Sequence, residues 1–478
     1  METAKTMAVS HKYLKNAAAN SLKRSLRKKE KKKASRFTFD NLIKQFHTLI
    51  GTFPDFRSER NTRKSLKDAV MGAFSMFFTQ NPSFLAYQAQ MQQVQGRNNA
   101  RILFGVEDIL SDNHIRKLID PLPASLLDPM YGYAFNGLKH EGHLEVFRSS
   151  NNSLLAAIDG VRYYSSQKIT CSNCSKTHHS DELVTYHHDV LMATLVTPSI
   201  PHVIPLSPEF IVPQDGNEKQ DCELAAGKRW LHRHEHLAKE ENITILGDDL
   251  YSNQPFCQLL LSKGYHFILV CKPSSHKTLY EYVELLGEDL KTWVREKWVG
   301  KKKEISRYRF ANGLPLRDGP KALEVNWCEI VEEVEGEGIK YKNTFITDWP
   351  LTLQTVAAIA EDGRTRWKIE NENNNVLKNR GYNLKHNFGH GKKNLAAFFL
   401  ALNLLAFLSH TILERFDRKY QHLRDILPSR KTFFDDLRTL TKFLCFLNWE
   451  KMLDFMIRGM KEPIPPEEIK LYAWYDSS

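Results

Sequence analysis

The sequence predicts an α/β protein: a mixed-sheet core with a β-rich insertion, preceded by a helical N-terminal region and followed by C-terminal helices. Three observations carry that expectation. Residues 37–148 space apolar positions by three and four, as in Phe46, Ile50, Val70, Phe74 and Phe77, which is the period of a helix face. From residue 150 the texture turns to short apolar runs that read as strands, first in succession and then alternating with helices, the order of a mixed sheet flanked by helices. From residue 411 to 478 the pattern returns to helices, with a polar, Pro-rich tail.

Taken in order, residues 1–36 read as a basic DNA-binding arm, because residues 23–33 set eight basic side chains around one Glu. A nuclear-localisation run has the same composition, but nothing else in the chain points to a nucleus. The helical region 37–148 follows. Strands are expected at 154–159, 161–170, 183–197 and 202–212, then a helix over 222–241. A strand over 243–247, a helix over 255–263, a buried strand over 265–271 and a helix over 277–286 come next. An insertion at about 290–345 shows β texture at 304–310, 323–333 and 341–346, and the core as a whole spans 149–410.

Composition narrows the class of function. A chain of 478 residues with a net charge of +11 and a pI near 9.1 favours an anionic partner, since Lys and Arg gain affinity by releasing counterions from nucleic acid. An ordinary solvated surface is the plain alternative. Seven cysteines in this length do not make a disulfide framework, and residues 1–15 lack the apolar core of a signal peptide, so a reducing, cytoplasmic setting is expected. The longest apolar run, residues 395–408, contains Asn403 and is short of the roughly 20 residues that span a bilayer. It reads as a buried helix beside the core, and no membrane partner is expected. No P-loop, GxSxG or dinucleotide fingerprint is present, so no nucleotide cofactor is expected.

Three acids stand where a metal-dependent nuclease holds its carboxylates. Asp159 ends the apolar run Leu154-Leu155-Ala156-Ala157-Ile158, and Asp248 follows Ile243-Thr244-Ile245-Leu246-Gly247. Glu370 lies in a helical stretch four residues after Arg366, on the same face. Two strand-end carboxylates and one helical carboxylate can converge on a pair of Mg²⁺ ions and catalyse in-line attack on a phosphodiester. Singly, an Asp at a strand end is more often a turn or helix cap. Asp249 and Glu372 compete as neighbours; successive strand residues face opposite sides, and two helical residues are about 200° apart, so only one of each pair can enter a site.

The segments DG-x-x-YYSS-x-KI, LGDDLYS-x-QPFC and RWKIENENNN-x-LKNRGYNLKHNFGHG, spread over most of residues 150–410, resemble the DDE transposases of bacterial insertion sequences. That resemblance implies an RNase H-like fold with the first Asp on the first strand, the second on the fourth and the Glu on a later helix. The matching positions are Asp159, Asp248 and Glu370. The cut-and-paste branch marks its Glu with Tyr, Arg, Glu and Lys at fixed spacing. Here Arg366 and Glu370 keep it, whereas Gly363 takes the Tyr position and Leu377 the Lys position, with Lys378 one residue late and so turned by about 100°. The resemblance further implies Mg²⁺ or Mn²⁺ on the three acids and cleavage and strand transfer on double-stranded DNA at the element's inverted-repeat ends and its target. A homodimer in the DNA complex, end binding by the N-terminal helical region and a bacterial cytoplasmic, nucleoid-associated location also follow.

Arg366, Lys378, Lys385 and His386 are the candidate DNA contacts, and His390 lies in the same donor-rich loop, where these groups could neutralise phosphate. In relatives that form DNA hairpins, an aromatic of the β insertion holds a flipped base. Trp293 and Trp298 occupy that stretch here, each reading first as a core residue, and Trp367 reads as packing. Cys171 and Cys174 have metal-ligand spacing and are followed by His178, His179, His187 and His188. A CxxC turn can present two thiolates to a structural Zn²⁺, with two histidines of the next strand completing a tetrahedron; a hairpin holding two reduced thiols is the alternative. A transposase-derived DNA binder without catalysis, or a host nuclease on the same fold, are the competing functional readings.

Overall fold

The computed structural model describes residues 37–58, 62–180, 183–213 and 221–463; the expected basic arm lies outside them. The strands are β1 (Leu154–Ser166), β2 (Ser175–His178), β3 (Val184–Val196), β4 (Ile204–Pro205), β5 (Glu209–Ile211), β6 (Ile243–Gly247) and β7 (His266–Val270), then β8 (Lys291–Val299), β9 (Lys302–Pro315), β10 (Glu324–Val334) and β11 (Gly338–Thr347). They form one sheet in the order β2-β3-β1-β6-β7-β11-β10-β9-β8, with β4 and β5 also on β3.

The centre of that sheet follows from its apolar runs. Residues 154–158 of β1 and all of β6 are buried on both faces, as strands covered by helices on each side must be. β1 runs antiparallel to β3 and parallel to β6, and β6 runs parallel to β7. An antiparallel start followed by parallel strands on the other side of β1 is the RNase H-like arrangement. The insertion does not stand apart from it. β11 pairs antiparallel with β7, Phe345 opposite Val270, so the insertion's strands extend the core sheet and cover what would be its edge.

Several expected boundaries move, each for a physical reason. The strands expected at 154–159 and 161–170 are one strand, β1, with a register shift between Arg162 and Tyr164 that absorbs the irregularity. The expected strand 202–212 is broken into β4 and β5 around Pro205 and Pro208, which cannot donate to a ladder. The helix expected over 222–241 divides at His234, whose ring binds Trp230 O at 2.9 Å and Ser207 Oγ at 2.7 Å. β8 was not expected at all; its side chains are almost all exposed, so it has no apolar alternation to announce it.

The N-terminal region is helical, as Phe39–Ile50, Leu66–Phe78, Phe84–Met91, Val94–Phe104, Asp112–Ile119 and Asp128–His140. Thr38, Ser65, Ser83 and Ser111 cap four of these helices by accepting a backbone N–H through the side chain. These helices share a core with those near the C-terminus. Phe39 stacks on Trp449 at 4.3 Å, Asn99 donates to Thr441 O and Leu444 O, and Tyr131 donates to Ala401 O. At its heart lies the helix Leu395–Phe416, longer than the apolar run suggested. Its 22 residues are long and apolar enough to cross a membrane, yet 83% of its apolar window is buried against the rest of the chain. Asn403, the polar residue within it, donates its amide N–H to Tyr382 O at 2.8 Å inside the core.

Candidate active site

The apolar runs of β1 and β6 lie side by side, with Ala157 opposite Leu246. Two residues further along each strand stand Asp159 and Asp248. β1 continues past that point on β3, while β6 ends at Gly247, and Asp248 begins the turn that follows by accepting Leu250 N–H at 3.0 Å. The two carboxylates therefore sit where one strand leaves its neighbour.

The third acid arrives on a helix with a widened turn. After the helix Val356–Arg364, residues Ile369–Asn374 form a π turn. Such insertions recur at functional sites because one extra residue per turn redirects side chains. Here Ile369, Asn373 and Asn374 are buried, and Asn374 Nδ2 donates to Asp159 Oδ2 at 2.8 Å. Glu370, about half exposed, pairs with Arg366 at 2.7 Å. Lys368 anchors the element from the other side: its buried ammonium donates to the carbonyls of Thr197, Pro198 and Ile200.

The acids act on one another through their charges. Asp159 is pushed up to about 7, first by burial, then by the negative charges of Glu370, Glu223 and Asp248, with Arg366 opposing them. Glu372 acts instead on Lys368, and Asp249 is turned to the loop after β7, where it accepts Lys272 N–H at 2.7 Å. Crowded, partly buried carboxylates repel one another until a cation enters, and an all-oxygen donor set suits a hard divalent ion. The residues present fit Mg²⁺ or Mn²⁺.

Glu223 is the acid that the sequence reading missed. It opens the helix Glu223–Arg233 and accepts Gly160 N–H at 3.0 Å and the Tyr251 hydroxyl at 2.7 Å. Burial raises it, the Tyr251 hydrogen bond opposes, and Asp248 adds to the rise. A Cβ on Gly160 would lie 2.0 Å from Glu223 Oε2, which explains the glycine after Asp159. In sequence an acid in a first helical turn reads as a partner of the helix dipole; the signal for more was the Asp-Gly pair in β1, which calls for a close neighbour.

Asn374 is expected to hold the orientation of Asp159. Asn373 donates to Asn374 Oδ1 at 3.0 Å, leaving the Asn374 amide nitrogen facing the carboxylate. Asn374→Ala should cut any metal-dependent DNA cleavage by about 10- to 100-fold, the usual cost of losing a group that orients a metal ligand, with a rise in the Mg²⁺ concentration needed for half-maximal rate. An unchanged Mg²⁺ dependence would show that the contact is only packing.

The departures at Gly363 and Leu377 have structural causes. A Cβ at Gly363 would lie 2.8 Å from Ile268 Cγ2 and 2.9 Å from Phe345 Cε1, because this helix packs closely on β7 and on β11 of the insertion. Leu377 is fully buried. Neither position has room for the signature's Tyr or Lys. Gly363→Tyr is accordingly expected to destabilise the fold by about 3 kcal/mol through overpacking, read as a lower midpoint in chemical denaturation.

Among the described residues, Arg366 is the expected DNA contact that bears directly on the carboxylates. Lys378 is half-buried in the helical turn Asn375–Asn379, whereas Lys385 and His386 are exposed on the loop beyond it. His390, by contrast, is buried and turned to Cys174 and His188. Cys171 and Cys174 face each other across their turn at 3.8 Å. Trp293 packs on Tyr308 as a core residue would, but Trp298 is 66% exposed on β8 and Trp367 is 40% exposed, so neither of these is core packing.

No family model matches the chain, and no curated protein matches it. Among solved structures, it is similar to the piggyBac transposase in its synaptic complex with hairpin DNA, determined by cryo-EM. That likeness has 12% identity and a TM-score of 0.38, and it covers 90% of this chain and 81% of the other.

Proposed function

We propose that this chain is a transposase that cuts DNA at the inverted-repeat ends of a bacterial insertion sequence and joins those ends to a target. What supports the reading is that Asp159 and Asp248 stand two residues beyond the paired Ala157 and Leu246 of β1 and β6, that Asn374 of the π turn carrying Glu370 donates to Asp159, and that Glu370 and Asp248 both raise Asp159 through their charge. Asp159, Asp248 and Glu370 would hold Mg²⁺ or Mn²⁺, which when bound lowers the pKa of an attacking water or 3′-hydroxyl and stabilises the departing oxygen. Asn374 orients Asp159, while Arg366 holds Glu370. Joining by transesterification forms one phosphodiester for each one broken, so no nucleotide cofactor is required.

Double-stranded DNA is the partner in this reading. Lys378, Lys385 and His386 would neutralise backbone phosphates, and exposed Trp298, flanked by Lys297 and by the run 301–303, offers a face for a displaced base. An element has two ends, so two copies of the chain would assemble on it, in a bacterial cytoplasm and at the nucleoid.

The test is a labelled duplex carrying the element's own end, incubated with Mg²⁺ or Mn²⁺ beside an unrelated duplex. Nicking confined to the end supports a transposase. Equal cutting of both duplexes would identify a host nuclease. Binding without cutting would identify a transposase-derived repressor or structural factor, the reading favoured by the packing residues Gly363 and Leu377 at two signature positions.

A further inference from the structure

We propose that Cys171, Cys174, His188 and His390 bind one Zn²⁺ ion, and that the ion fastens the hairpin of β2 and β3 to the loop that follows the Glu370 helix. The ligand set differs from the one expected in sequence. Of the histidines after the CxxC turn, only His188 takes part: His187 bonds to Thr177 and Arg162, and His179 bonds to Thr185. The fourth donor, His390, lies 216 residues beyond Cys174.

Five of the six edges between the donors match a zinc tetrahedron. Zinc bonds of about 2.3 Å to sulfur and about 2.05 Å to nitrogen imply edges of about 3.8 Å between sulfurs, 3.6 Å between sulfur and nitrogen and 3.3 Å between nitrogens. The observed separations are 3.8 Å for the two Sγ atoms, 3.6 and 3.5 Å from them to His188 Nε2, 3.3 Å from Cys174 Sγ to His390 Nε2 and 3.0 Å between the two Nε2 atoms. All four donor atoms lie within 4.8 Å of one another.

The surroundings also suit a closed metal site. Cys174, His188 and His390 are 3%, 4% and 6% exposed, too buried for solvent to satisfy their donors. His390 Nδ1 donates to Gly391 O at 3.0 Å, which fixes the tautomer and leaves the Nε2 lone pair aimed into the cluster. Tyr163 stacks on His188, and Tyr164 lies against His390 at 4.4 Å, walling the group from water. Two thiolates and two imidazoles form a borderline-soft set that selects Zn²⁺ over Mg²⁺. The site is therefore chemically distinct from the all-oxygen cluster at Asp159.

His390 reaches the cluster because glycines flank it. Gly389 and Gly391 have φ of 143° and 72°, values that other residues rarely adopt. A Cβ at Gly391 would fall 2.3 Å from Asp120 Oδ1, a carboxylate that accepts the N–H groups of Lys392, Lys393 and Leu395 and so pins the end of the loop. Asn173, inside the CxxC turn, donates to Lys393 O at 2.8 Å, a second tie between hairpin and loop. The ion would thus set the position of exposed Lys385 and His386, which share that loop.

The inference stands apart from the transposase reading, and its test does not use DNA. The full chain, purified under reducing conditions with zinc supplied, should contain one zinc per chain by elemental analysis. Replacement by Co²⁺ should give the intense visible absorption of a tetrahedral thiolate site. Cys174→Ser and His390→Ala should lower zinc affinity by more than 10-fold and reduce the melting temperature, whereas Asp248→Asn should keep a full equivalent of zinc. His390→Cys, which retains a donor, should keep the metal and shift the cobalt spectrum toward three thiolates. A parent chain without zinc, or His390→Ala with a full equivalent and an unaltered cobalt spectrum, would overturn the assignment.

Discussion

Asp159→Asn, Asp248→Asn and Glu370→Gln are each expected to lower DNA nicking and end joining by at least about 1,000-fold while leaving DNA binding intact. The substitutions keep side-chain volume and remove one negative charge each. A metal-supported reaction depends on those charges, since the ion must be held close enough to stabilise charge that develops in the transition state. Binding depends instead on basic groups outside the cluster, and loss of an anionic carboxylate near a phosphate backbone should if anything tighten it. Cleavage rates and a gel-shift isotherm, measured on the same duplex, check both halves. Normal cutting by any of the three variants would show that its carboxylate is not a ligand.

The second large effect concerns stability without metal. Asp159 is held at about 7 in the folded chain, against an ordinary value of 3.8. Between about pH 4 and pH 7 the folded state keeps a proton that the unfolded chain has lost, so stability falls as pH rises through that window and the full penalty applies above it. A shift of this size corresponds to roughly 4 kcal/mol. In EDTA at pH 8, Asp159→Asn should therefore melt at a higher temperature than the parent, and the difference should shrink as pH falls and vanish only near pH 4 or below. Mg²⁺ or Mn²⁺ should stabilise the parent at pH 8, with a smaller effect at pH 6 where the ion competes with the proton, and should do little for the variant. Identical melting of parent and variant in EDTA at pH 8 would show that the crowding of carboxylates is not real.

These effects sit at residues whose legibility in sequence differed. Asp159 and Asp248 stood out because each closes a continuous apolar run; β6 does stop there, at Gly247, whereas β1 continues through Asp159 to Ser166, so the expected strand end at Asp159 is only the end of the doubly buried part. Glu370 stood out by its spacing from Arg366, and the two do form an ion pair. Glu223 could not be found this way, because its partners Gly160 and Tyr251 lie 63 and 28 residues away, and an acid at a helix start has an ordinary use. The π turn that brings Asn374 to Asp159 has no local signature either, since a hydrogen-bond slip of one residue leaves the apolar period almost unchanged.

The same division holds across the chain. Apolar period, capping side chains and chain-breaking prolines act over a few residues, so the sequence by itself determined where most helices and strands lie, which faces they bury and at which ends of the apolar runs acids stand. The tertiary structure alone decided which of those ends meet. It joined β11 to β7 so that the insertion extends the core sheet, and it packed Gly363 against Phe345, leaving no room for the tyrosine that the resembling family has there. It also brought His390 to the cysteines across 216 residues and left Trp298 in solvent. Each of these depends on strand register and on close packing between segments distant in sequence, and a pattern that repeats every two or four residues carries no information about either.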